Sequence, residues 1–142
     1  MEIADVRKRI KDTIDRARRQ AADRRARNSE ANVAYERFLS AVAVPLCQQV
    51  AAVLKAEGYP FIVNTPGGAV RLASERWPED FVEIHLDTTG PRPQVVARVE
   101  RVKGRETIAE DRPLKPGTLI EHLSEQDVLD VLAEALSVFV EK

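Results

Sequence analysis

The first 57 residues contain no glycine, and Pro45 is the only proline among them. The run is rich in Ala, Arg, Glu, Gln and Leu, all good helix formers. A helical run from Glu2 to Glu57 would span on the order of 80 Å at about 1.5 Å per residue. A compact chain of 142 residues has a radius of gyration of only about 14 Å. A continuous helix must therefore project from the rest of the protein, and an interrupted one must fold back.

The apolar pattern divides the run into unlike parts. Ile3, Val6, Ile10, Ile14, Ala17 and Ala21 recur every three or four positions and form a narrow stripe, like a coiled-coil seam. Over residues 22–30 the stripe fades. It returns with Tyr35, Phe38, Leu39, Val42, Leu46, Val50, Val53 and Leu54, broad enough for a core helix. Two shapes fit. In one, a single helix kinks near Pro45, whose ring removes a donor and crowds the preceding turn. In the other, Asn28-Ser29 turns the chain and makes a helical hairpin. Either way, residues 1–30 read as a charged helical arm suited to oligomerisation, and 31–142 as a compact α+β domain.

Gly58 is placed to end the helix in the left-handed conformation, with Pro60 blocking its continuation. Phe61–Asn64 reads as a short strand, Thr65-Pro66-Gly67-Gly68 as a turn, and Ala69–Ala73 as the returning strand. Phe81–Asp87 alternates, with Val82, Ile84 and Leu86 against Phe81, Glu83, His85 and Asp87, as expected of a strand with one wet face. Gln94–Val102 alternates again, with Val95, Ala97 and Val99 against Gln94, Arg98 and Glu100. Lys103-Gly104 predicts a tight hairpin into a strand over Arg105–Glu110. The expectation is an antiparallel meander of four to five strands. Arg112–Gly117, with two prolines, reads as a linker. Thr118 and Glu121 have capping-box spacing for one helical turn. Ser124 then caps a helix over Glu125–Glu141, with Asp127 at its third position; its broad apolar face contains Val128, Leu129, Leu132, Ala135, Leu136 and Phe139, widened by Val131 and Val138, and packs on the core.

Charge is unevenly spread. Residues 1–40 carry eleven Lys/Arg against seven Asp/Glu, and residues 41–142 carry eleven against sixteen. A basic arm on an acidic body attracts an anionic partner or the body of a second subunit. The single cysteine, Cys47, excludes an internal disulfide and a multi-cysteine metal site. Its apolar neighbours Val44, Leu46 and Val50 point to a buried, inert thiol. No apolar run approaches the roughly 18 residues that span a membrane, and the N-terminus lacks the apolar core of a signal peptide. The compartment expected by default is the cytoplasm, with no membrane partner.

No catalytic residue and no cofactor is assigned from the sequence. Thr65-Pro66-Gly67-Gly68 precedes a strand, whereas a phosphate cradle needs a helix N-terminus next. Glu83, His85 and Asp87 share one strand face and are weak candidates for a divalent metal or an acid/base pair; the competing reading pairs them with Arg71 or Arg98 on neighbouring strands. His122 reads as a surface or capping residue. Trp77, in a polar loop, either covers the core or contacts a partner. Arg16, Arg18, Arg19, Arg24, Arg25 and Arg27 form the densest charge cluster and are candidates for phosphate contacts. Interleaved aspartates and the lack of a stacking aromatic weigh against that use.

The function expected is that of a non-enzymatic interaction or adaptor module. It would self-associate, as a dimer, through Ile3, Val6, Ile10, Ile14 and Ala17, with Trp77 available to a protein partner. The alternatives are a nucleic-acid-associated accessory protein using the arginine cluster, and a small metal-dependent enzyme built on Glu83, His85 and Asp87.

Overall fold

The computed structural model describes residues 1–141. Its N-terminal run is one continuous helix of 54 residues, Ile3–Ala56. Within it α1 (Ile3–Phe38) passes through a π turn (Leu39–Ala43) into α2 (Val44–Ala56). The hairpin at Asn28 is not formed: nothing at Asn28-Ser29 leaves the helical backbone, because no glycine or proline there breaks the ladder. Pro45 acts where expected, through a π turn. Its ring would clash with the Ala41 carbonyl in a regular α-turn, and the ladder widens just before it, with the Val44 N–H bonded to the Leu39 carbonyl. Gly58, at φ 91°, ends the helix in a Schellman arrangement: the Tyr59 N–H reaches the Leu54 carbonyl at 2.8 Å and the Gly58 N–H that of Lys55 at 3.1 Å.

Contrary to the expectation that no apolar run approaches a membrane span, an 18-residue window of this helix has a mean hydropathy of 1.5, enough by length and composition to cross a membrane. Ser40, Pro45, Gln48 and Gln49 interrupt the apolar run without bringing the average below that level. Mostly buried core helices meet the same criterion, whereas 17% of this window is buried; Ala43 and Cys47 are enclosed, and Leu46, Val50 and Leu54 pack partly buried against the core.

Five antiparallel strands follow as a meander in chain order: β1 (Phe61–Asn64), β2 (Val70–Ser74), β3 (Phe81–Asp87), β4 (Gln94–Lys103) and β5 (Glu106–Pro113). The fold is α+β. β5 runs further than the sequence indicates and takes in Arg112 and Pro113, so the expected linker is shorter. An edge strand tolerates a terminal proline because the missing N–H is not needed by a further strand. Thr118 does not cap the short 3₁₀ turn at Ile120–His122, whose N-cap is Leu119 without a side-chain bond. Ser124 does cap α3 (Glu125–Val140), in a reciprocal capping box with Asp127.

One face of the sheet carries Val70, Leu72, Val82, Ile84, Val95, Ala97 and Val99 against α2 and α3. α3 contributes Val128, Val131, Leu132, Ala135, Leu136 and Phe139, while Leu129 points outward at 40% exposed. The expected apolar face is thus formed, Val131 included, with Leu129 alone turned outward. The Asp80 carboxylate, 1% exposed, accepts the Val102 N–H at 3.0 Å and ties the start of β3 to the end of β4.

Tyr35 locks the long helix to the sheet. It is 4% exposed, and its hydroxyl donates to the Gly68 carbonyl at 2.7 Å, with the Ile84 carbonyl 3.3 Å away. Burial, then the Glu83 charge, pushes its phenol well above the ordinary value. Tyr35→Phe should cost about 1–1.5 kcal/mol, since the ring still packs while the buried acceptors lose their donor. The midpoint of a denaturant melt measures this directly.

The α3 cap makes stability depend on pH. Bonds from the Ser124 backbone and hydroxyl hold the Asp127 carboxyl below its ordinary value of 3.8, helped by Lys115. A carboxyl lowered in the folded state stabilises the fold above its unfolded value and loses that contribution as pH falls through the folded value. Asp127→Asn should therefore flatten the acid limb of a stability–pH curve below the ordinary carboxylate range. Denaturant melts taken at neutral pH and at stepwise lower pH will show it.

Candidate interaction surface

The arm projects from the body because the body is smaller than the helix. Met1 through Gln20 are all exposed, and only from Ala31 onward does α1 join the core. The helix does not need its own contacts to persist: the packed half nucleates it, and each further residue adds one backbone bond. Ile3 is 78% exposed, Val6 44%, Ile10 54% and Ile14 45%, so the stripe faces solvent along its length.

Helical geometry sorts the arm's charges more sharply than their order in the chain. At 3.6 residues per turn, Arg7, Lys11, Arg18 and Arg25 border the stripe on one side, and Arg9, Arg16 and Arg27 border it on the other. Asp5, Asp12, Asp15 and Asp23 all lie on the opposite face, with Lys8 and Arg19 among them. The stripe thus has cationic borders, with the carboxylates behind them, one turn from Arg9, Arg16 and Arg27. All ion pairs among the described residues lie in the body. The six candidate arginines for nucleic acid are therefore distributed: Arg18 and Arg25 on one border, Arg16 and Arg27 on the other, Arg24 in line with the stripe, Arg19 behind.

At the base of the arm lies a groove of about 1110 Å³, between α1, the start of β4 and the segment leading into α3. Phe38 and Leu119 contribute to its apolar lining, and Arg27, Arg37, Arg92 and Lys115 are among its cations. Sequence reasoning missed this groove, because its walls come from three distant segments.

The second face of the sheet is occupied by its own pairs. Arg71, Glu83, Arg98 and Asp111 are consecutive cross-strand neighbours on β2 to β5, so charges alternate across the sheet. Arg71 reaches Glu83 at 3.0 Å and lies 3.9 Å above the Phe81 ring, which helps explain why Phe81 is 7% exposed on this face. Arg98 is 3.3 Å from Asp111 and 3.6 Å from Glu100.

These pairs leave the Glu83/His85/Asp87 row without a shared ligand position. Glu83 is held by Arg71, and Asp87 accepts both the N–H and the hydroxyl of Thr89, at 2.9 and 2.6 Å, which lower its pKa, with a smaller contribution from His85. Among the described residues, no group of three or more His, Cys, Asp or Glu is placed to hold a metal. Cys47 is buried, and burial pushes its thiol up to about 12. Trp77 is 48% exposed in a turn closed by Ser74 and Asp80, so it does not lie beneath the core surface. His122 ends the 3₁₀ turn, exposed.

No protein-family model, curated protein or solved structure matches the chain.

Proposed function

We propose that the chain is a non-enzymatic interaction module that self-associates through its N-terminal helix, using Ile3, Val6, Ile10, Ile14 and Ala17. One observation carries this reading: a continuous helix holds an Ile/Val stripe clear of the body, with nothing in the monomer to cover it. Exposed apolar stripes of this kind mark interaction surfaces, and a helix stripe at three–four spacing suits another helix. The groove at the arm's base, with its cationic lining, supplies a second contact for a protein partner and gives the module its adaptor character.

Sedimentation velocity over a micromolar-to-millimolar concentration series tests the reading. A dimer mass that gives way to the 15.9 kDa monomer on dilution is expected; a monomer throughout would overturn it. Nucleic-acid binding draws less support, because five of the six candidate arginines lie around an exposed helix and only Arg27 reaches the groove at its base.

A further inference from the structure

A second arm is a poor match for the arm's own stripe. Laid antiparallel, Arg7, Lys11, Arg18 and Arg25 would face their own counterparts; laid parallel, they would face Arg9, Arg16 and Arg27. Both registers set like charges beside the seam. The stripe instead fits a surface that is apolar along its centre and acidic at its border.

The same chain carries such a surface on α3. Leu129, 40% exposed, Ala133 and Val140, 42% exposed, line up at helical spacing on the side turned away from the core. Asp130, Glu134 and Glu141 run beside them, all exposed, and Glu134 is already 3.2 Å from Arg112 of β5. No Lys or Arg occurs anywhere in α3. The arm over residues 3–27 carries ten Lys/Arg against four Asp, so the two helices are complementary in charge as well as in apolar pattern.

We propose that the arm of one protomer docks along the outer face of α3 of a second copy of the chain. Its stripe would meet Leu129, Ala133 and Val140, and its cations Asp130 and Glu141. The proposal rests on the reading that the chain self-associates through the arm, and it names the surface that receives it. Lengths agree: α3, of 16 residues, is about 24 Å long, and the free arm, at about 36 Å, covers it from end to end. If each arm crosses to the other's α3, the contact is made twice and the dimer closes; a one-way contact would leave an arm and an α3 free to extend the assembly.

Charge reversal on the full chain tests this. Lys11→Glu/Arg18→Glu alters the arm, and Asp130→Lys/Glu141→Lys alters α3, all at exposed positions outside the core. Each variant alone should dissociate at least about tenfold more readily than the original chain in sedimentation velocity, because like charges then meet. An equimolar mixture of the two should form a heterodimer, since every arm then finds an α3 of opposite charge. Leu129→Asp should also weaken association while lowering the melting temperature of the dilute protein much less than Leu132→Ala does. If the α3 variants associate like the original while the arm variant does not, self-association stands but its receiving surface lies elsewhere, and the proposal falls. Failure of the mixture to associate overturns it as well. An original chain that stays monomeric, or that binds vesicles of phosphatidylcholine and phosphatidylserine without self-associating, overturns both the proposal and the reading beneath it.

Discussion

Leu132→Ala is expected to destabilise the body by about 3–5 kcal/mol, the cost of deleting a fully enclosed leucine and leaving a cavity. Leu132 is 0% exposed on the buried side of α3, where that helix packs against α2, β3 and β4. Its surroundings are the sides of sheet strands and helices, which cannot collapse into the space without moving backbone. A loss of this size approaches the whole stability of a small domain and should lower the melting temperature by on the order of 10–15 °C. Leu129→Ala, three residues earlier on the same helix, should cost less than about 1 kcal/mol, because Leu129 is already 40% exposed and its truncation opens no enclosed cavity. Differential scanning calorimetry on the two variants at low protein concentration reads both; equal losses would show that α3 sits in another rotation.

The arm should behave in the opposite way. Ile10→Asp/Ile14→Asp, at positions 54% and 45% exposed, should leave the melting temperature of the dilute protein unchanged, since neither side chain touches the core. The same pair should raise the dissociation constant for self-association by at least about 100-fold. Burying one Ile contributes on the order of 1.5–3 kcal/mol, tenfold in affinity corresponds to about 1.4 kcal/mol, and the reversal in polarity adds a desolvation cost. Sedimentation velocity gives the constant. Unchanged association would remove the arm from the interface. On the proposed reading core and arm are separable: one class of substitution should change folding without needing a partner, and the other should change assembly without changing the fold.

Much of the body was legible from residue pattern. The alternation of Val82, Ile84 and Leu86, and of Val95, Ala97 and Val99, locates the core side of β3 and β4 because side chains on a strand point alternately to its two faces. Ser124 and Asp127 identify the start of α3 because only such a pair satisfies the first backbone donors reciprocally. Pattern failed where burial comes from a non-repeating source. Phe81 and Val96 are buried on the second face, at 7% and 3% exposed; Phe81 owes its cover to Arg71 stacked above it. Helical spacing places Leu129 and Val131 within one broad apolar arc, and only the neighbours of α3 decide which of them turns inward. Glu83, His85 and Asp87 do share a face, as their spacing indicates, but their partners, Arg71 and Thr89, belong to geometry that spacing cannot reveal.

For the long N-terminal helix, the residues themselves determined that it is helical, that its apolar stripe is narrow and that Pro45 disturbs it. Those are local properties, set by propensity, periodicity and the missing proline donor. Tertiary structure decided that the helix is unbroken at Asn28, that the body grips it only from about Ala31 onward through Tyr35 and Phe38, and that the stripe is left in water. The reason is one of scale: local interactions fix how each turn is built, while the size of the body fixes how many turns it can cover.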